Sequence, residues 1–181
     1  MIRSARCFTI PTLVAALATS AAARPLHAQG TDLAVPSARA VWQPIAAYIA
    51  QSAEDMPAEK YGFKPTPEVR SFGQLIGHVA GSQYMFCAAA IGDSARKEDD
   101  IEKTRTTKAE LVAAMKESTA YCARAYAQGD ASTRQSITMF GQKQNRLWAL
   151  MTNAAHDDEH YGNIVTYLRM NGIVPPSSRG P

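Results

Sequence analysis

QNRLWALMTNAAHDDEHYGNIVTYLRMN, residues 144–171, contains no proline and keeps a helical pattern from end to end. Gly172 follows as the expected left-handed terminator, and Pro175 and Pro176 prevent the helix from resuming. At about 100° per residue, Leu147, Met151, Ala154, Tyr161, Val165 and Leu168 make an aliphatic stripe, the face expected to meet a core. His156 and His160 fall roughly opposite. Their face also carries Ala149, Thr152, Asn163 and Tyr167, small or polar groups suited to lining a cleft.

The same reasoning, carried toward the N-terminus, gives three more helices. Val41, Trp42, Ile45, Tyr48 and Ile49 stand at helical spacing and mark the first, over residues 37–55. Residues 56–70, MPAEKYGFKPTPEVR, hold three prolines and a glycine with aromatics between them, so an ordered but irregular connector is expected. Ser71 and Gln74 form an S-x-x-Q capping box ahead of Phe72, Leu75, Ile76, Val79 and Phe86, a second helix reaching about Ala90. A polar, charged segment follows. Thr107 and Glu110 then make a second box ahead of Leu111, Met115, Cys122 and Tyr126, a third helix ending near Gly129. Ser136 to Phe140 looks extended or turn-like. Four helices and no convincing strand predict an all-α four-helix bundle, one domain over residues 37–176.

The connector between the second and third helices, roughly fifteen residues, is longer than an antiparallel turn needs, so these helices are expected to run parallel with a crossover. Cys87 and Cys122 lie at matching depths in them, within bonding reach only in a parallel pair. The alternative for the two cysteines is a pair of small buried hydrophobes.

The chain opens MIRSARCFTIPTLVAALATSAAARPLHAQG, two arginines and then an apolar, Ala-rich run too short to span a bilayer, followed by small residues. This predicts a secretory signal peptide, residues 1–28, cleaved after Ala28. Cleavage would remove Arg3, Arg6 and Arg24 but no acid, taking the formal charge from +3 to zero. A neutral domain without a basic face gives no electrostatic case for nucleic acid or anionic membrane. The mature protein is expected to be soluble and exported, either periplasmic or secreted.

Of four histidines, His27 leaves with the leader. Two of the remaining three stand in His156-Asp157-Asp158-Glu159-His160, four residues apart, where imidazoles one turn apart share a helix face and can hold one ion. His78, at the flank of the second helix's apolar stripe near Gln74, Ser82 and Met85, is the histidine left to complete the set. Three neutral imidazoles suit zinc, nickel or another late first-row divalent ion and leave positions open for water or substrate. Such His pairs also occur on exposed helices without function.

The order and spacing of several short motifs resemble the DinB-like superfamily over nearly all of the mature chain. These are Tyr61-Gly-Phe63-x-Pro65, Arg70-Ser71-Phe72, Gly77-His78-Val79-Ala80, His156-x-x-x-His160-Tyr161-Gly162-Asn163, and Tyr167-Leu168-Arg169-x-Asn171-Gly172-Ile173-Val174-Pro175-Pro176. The resemblance implies parallel second and third helices and a metal held by His78, His156 and His160. The family pattern often has Glu after the first histidine of the pair and Arg-Gly-Gln after the second, where this chain has Asp157 and Tyr161-Gly162-Asn163.

Some DinB-like proteins are thiol transferases that use the metal to activate a small thiol. An enzyme of this kind would use the ion to lower the pKa of a water or thiol or to polarise a substrate oxygen. Asp157 is the candidate proton acceptor or orienter, its alternative being a solvated acid in an acidic run. Asn163 and Gln74 are candidates to hydrogen-bond a ligand or a histidine's second nitrogen. Export weighs against small-thiol chemistry and toward a metal-dependent hydrolase with an unknown small-molecule substrate. The alternatives are a non-catalytic metal-binding or stress-related helical protein, and an interaction module whose histidines bind nothing. Exposed apolar helix faces make a homodimer an open possibility.

Overall fold

The computed structural model describes residues 32–94 and 101–180; the expected leader lies outside them. The elements are α1 (Ala34–Asp55), α2 (Phe72–Ile91), α3 (Ile101–Thr104), α4 (Lys108–Ala125), α5 (Asp130–Thr133), β1 (Ser136–Met139), β2 (Gln142–Asn145) and α6 (Arg146–Met170). The four long helices build the body: α2 packs on α4 and α6, and α1 on α6. Among the described residues, no helix is long and apolar enough to cross a membrane.

Local sequence explains most helix ends. Both halves of the Ser71–Gln74 and Thr107–Glu110 capping boxes are made, and the Asn145 side chain caps α6 by accepting the Trp148 N–H at 2.8 Å. Gly92 and Gly172 end their helices in the left-handed region, at φ 75° and 73°. α1 starts at Ala34, three residues ahead of its expected start, without a side-chain cap of its own. Instead Asp130 reaches over from α5: Oδ2 accepts the N–H groups of Leu33 and Ala34 at 2.9 and 2.8 Å, and Oδ1 that of Val35 at 2.8 Å.

α2 and α4 run parallel. A Cβ added at Gly73 or at Gly77 would meet Leu111 at 3.2 Å; further along, the Thr119 hydroxyl donates to Gln83 Oε1 at 3.4 Å, and Cys87 is disulfide-bonded to Cys122 with Cα atoms 5.2 Å apart. The pairs ascend together in both helices, as only a parallel arrangement allows. Two tyrosine hydroxyls fix the proline-rich connector at its ends: Tyr61, within it, donates to the Ala53 carbonyl, and Tyr167 of α6 donates to the Arg70 carbonyl at 2.7 Å.

Two readings of the sequence need correction. Residues 136–145 form an antiparallel hairpin pairing Ser136 with Asn145 and Met139 with Gln142. The two-residue loop Phe140-Gly141 has positive φ at both positions, 51° and 75°, the twist that closes such hairpins, but Phe is not the residue that normally signals it. The buried face of α6 is also wider than the expected stripe and shifted from it: Ala154, Tyr161 and Leu168 of the stripe are buried, Met151 is exposed, and Leu150, Asn153, Asp157 and Ile164 outside it are fully enclosed. α6 is covered by α1 on one side and α2 on the other, so its buried arc is wide and includes polar residues that an apolar count passes over. Asn153 is enclosed because its amide donates to the Tyr126 hydroxyl at 3.2 Å.

Candidate metal centre

His78 comes from the first half of α2 and the other two histidines from the middle of α6, where the two helices pack. Their ring nitrogens converge. His156 Nε2 lies 3.2 Å from His78 Nε2 and 3.1 Å from His160 Nε2, and one donor atom from each ring falls within 4.8 Å of the others. Four-residue spacing puts His156 and His160 on one face, but that face flanks the core: His160 is buried and His156 half-buried.

Each ring's far nitrogen faces a polar group. His78 Nδ1 lies 3.6 Å from Glu102 Oε2, His156 Nδ1 lies 3.9 Å from Asp157 Oδ1, and His160 Nδ1 lies 3.4 Å from Asn163 Nδ2, an amide whose oxygen and nitrogen exchange on a flip. An oxygen at Nδ1 holds the proton on that nitrogen and leaves the Nε2 lone pair directed inward. Glu102 is itself fixed by Arg70, whose Nε donates to Oε1 at 3.0 Å.

Asp157 is the most altered of the expected residues. It is fully buried, not solvated, and its Oδ2 accepts from Trp42 Nε1 at 3.1 Å and Gln83 Nε2 at 2.9 Å. Burial pushes its carboxyl above the usual carboxylate range, against the opposing pull of His156 and these donors. Its Oδ1 and His156 Nδ1 are both buried without a hydrogen-bond partner, and they face one another. A sub-ångström ring movement closes that pair into a hydrogen bond.

Burial also holds His78 and His160 uncharged, pulling them down to about 4 and about 3, with the neighbouring histidines and Arg70 adding to the effect. The residues present therefore fit a divalent ion. Three neutral imidazoles are the donor set of late first-row metals, and N–N edges of 3.1 and 3.2 Å fall a few tenths short of the ~3.4 Å edge of a tetrahedron with bonds of about 2.1 Å.

Beside His160 opens a cavity of about 670 Å³, lined among others by Arg70, Glu102, Glu159, Asn163 and Tyr167. Asn163 thus stands by a histidine and the cavity alike. Gln74 does not reach the site; its side chain is spent on the cap of α2, accepting the Ser71 N–H at 2.9 Å. Asp158 lies elsewhere on α6, beside Val41 and Met151.

Trp42, Gln83 and Glu102 are absent from the sequence-based site. Glu102 had one visible signal, the glycine before His78. A Cβ at Gly77 would stand 2.8 Å from Glu102 Cα, so only glycine lets α3 lie against α2 and bring Glu102 to the neighbouring histidine.

Comparison with solved structures places the fold. A DinB-like protein from Bacillus cereus matches with a TM-score of 0.68 at 15% identity, covering 78% of this chain and 95% of its own. A DinB-like protein from Bacillus subtilis matches with a TM-score of 0.62 at 20% identity, covering 75% and 92%. A variant of the mycothiol-dependent maleylpyruvate isomerase matches with a TM-score of 0.58 at 13% identity, covering 76% and 67%. No curated protein matches the sequence significantly. The family model of the DinB superfamily matches residues 45–164, most of the chain, and the protein belongs to that superfamily.

Proposed function

We propose that this chain is an exported metal-dependent enzyme, a four-helix bundle of DinB-like topology in which His78, His156 and His160 hold one divalent ion, zinc or nickel. The observation that carries the reading is the orientation of the three imidazoles: every Nε2 turns inward to a common point and every Nδ1 faces Glu102, Asp157 or Asn163 outside it. Rings oriented in this way place lone pairs against lone pairs, which a shared cation stabilises.

Bound there, the ion supplies Lewis acidity, lowering the pKa of a water or thiol or polarising a substrate oxygen. The protein's part is to keep the three donors neutral and oriented, and to bring a small molecule to them through the cavity beside His160. That opening favours catalysis over storage, because a structural site is closed by its ligands. Arg70 and Asn163 are placed to hold polar groups of the substrate, and Asp157 acts on His156 from beneath. One fold neighbour is named as a mycothiol-dependent isomerase, which supports the thiol version of the chemistry. The disulfide supports an oxidising compartment and hence hydrolysis.

The test is elemental analysis of the untagged protein beside a variant with all three histidines changed to Ala. About one equivalent of a divalent ion in the parent and none in the variant supports the reading, and ester, amide and thiol substrates then become worth screening. No metal in either, even after reconstitution, refutes it.

A further inference from the structure

Cys87 and Cys122 are fully buried, and the disulfide between them lies one helical turn from a side chain that serves the histidine cluster. That side chain is Gln83, four residues before Cys87 on α2 and likewise fully buried. Its amide is held from both sides. Nε2 donates to Asp157 Oδ2 at 2.9 Å, and Oε1 accepts from the Thr119 hydroxyl at 3.4 Å. Thr119 stands three residues before Cys122 on α4, and Cys122 Sγ lies 3.3 Å from the Gln83 carbonyl oxygen.

Contacts therefore run from the disulfide to the histidines through one residue. The other oxygen of Asp157, Oδ1, lies 3.9 Å from His156 Nδ1, and His156 Nε2 faces the two remaining imidazoles. At that distance the carboxylate's placing decides whether it holds the ring. Two donors place it. Trp42 is stacked on Tyr126, whereas Gln83 is steadied by Thr119 across the α2–α4 contact that the disulfide closes.

Two thiols need more room than one disulfide, because sulfurs that share no bond stand apart at contact distance. In a close-packed interior that room comes from movement of α4 against α2, and the Thr119–Gln83 hydrogen bond, already long, is one turn away. We propose that the Cys87–Cys122 disulfide sets the affinity of the metal centre. Closed, it keeps Thr119 on Gln83 and, through Gln83, the Asp157 carboxylate on His156; opened, it frees that carboxylate and the ion is held more weakly. This rests on the metal-centre reading. Opening is a two-electron exchange with a dithiol: the S–S bond breaks, two S–H bonds form, and the dithiol becomes a disulfide. By linkage, an ion that prefers the oxidised form also favours the closed bond.

Zinc affinity, measured by competition with a chromophoric chelator, tests this on three samples. They are the oxidised protein, protein reduced with a dithiol and then freed of it under argon, and Thr119→Val, which keeps the disulfide and removes the hydroxyl. Affinity should fall roughly three- to tenfold on reduction and about threefold in Thr119→Val, less than outright loss of a ligand's hydrogen-bond partner brings. Stoichiometry should stay at one ion per chain. Reduction should then weaken Thr119→Val less than it weakens the parent, since both changes act through one contact. Equal affinity in oxidised and reduced parent overturns the proposal, and so does an undiminished effect of reduction in Thr119→Val. A second equivalent of zinc on reduction overturns it too, because the thiols would then be ligands. If circular dichroism shows the reduced chain unfolded, oxidised Thr119→Val decides alone, and parent-like affinity there overturns the proposal. Failure of the oxidised parent to bind zinc refutes the metal-centre reading itself.

Discussion

The indole of Trp42 donates to Asp157 Oδ2 at 3.1 Å, joining the first helix to the turn of the last helix that carries His156 and His160. Trp42 also stacks on Tyr126, centroids 4.3 Å apart and planes 9° from parallel, so the donor has little freedom to move. Gln83 donates to the same oxygen from α2. Three helices therefore converge on one buried carboxylate beside His156.

Removing that carboxylate strands two buried donors. Asp157→Ala is expected to cost about 2–5 kcal/mol in urea unfolding of the metal-free protein, from two unsatisfied N–H groups and a cavity. Asp157→Asn retains an acceptor and should cost less. Both variants should bind zinc about 10- to 100-fold more weakly, because His156 loses the group that faces its Nδ1. Parent-like zinc affinity in Asp157→Asn would show that the carboxylate serves the core alone.

Gly77 offers a way to disturb the site from outside its ligands. In Gly77→Ala the new methyl would stand 2.8 Å from Glu102 Cα and 3.1 Å from its backbone nitrogen, neither of which is the yielding end of a side chain. α3 must move, taking Glu102 from His78, at a cost of about 1–3 kcal/mol. Zinc affinity should fall by about tenfold or more, and Glu102→Ala should reproduce that loss without the loss of stability. Zinc titration and thermal melts of the two variants separate the effects.

The three-histidine cluster was legible because histidines were scarce and two stood at helical spacing, and the capping boxes, terminal glycines and matched cysteines made the helices and their parallel course legible too. What surrounds the cluster was not. Asp157 sits in a run of acids that reads as solvated; its burial follows from Trp42 and Gln83, far away in sequence on two other helices. The expected stripe of α6 held at Ala154, Tyr161 and Leu168, but the rest of its enclosed face was missed for the same reason, since it includes polar groups that become acceptable only once distant partners satisfy them. The hairpin was missed because Phe140 stands where Asn would have announced it.

Acid should weaken the metal-free fold through the histidines. His78 and His160 have folded-state values of about 4 and about 3, below the unfolded value of 6.5, so between these limits the unfolded chain binds more protons. Stability is then fully present above pH 6.5 and falls as pH drops toward 4 and 3. Melting temperatures in the presence of a chelator should decline across this window, and a variant with both His78→Gln and His160→Gln should show a shallower decline. Equal slopes would mean that the histidines are no less basic folded than unfolded.

Asp130 is expected to govern the stability of α1 without touching the metal centre. Three backbone N–H groups at the start of α1 donate to its two oxygens, and together they hold its carboxyl below the usual range. These are the donors an α-helix leaves unpaired at its N-terminus, and α1 has no side chain of its own to meet them. Asp130→Ala removes every acceptor at once; Asp130→Asn keeps one oxygen and loses the charge that favours a helix N-terminus. The melting temperature should therefore fall in the order parent, Asn, Ala, with zinc stoichiometry unchanged in all three. Exchange of the amides at 33–35 should quicken first, since fraying begins at the end that has lost its acceptors. A melting temperature unmoved by Asp130→Ala would mean that water replaces the carboxylate there at no cost.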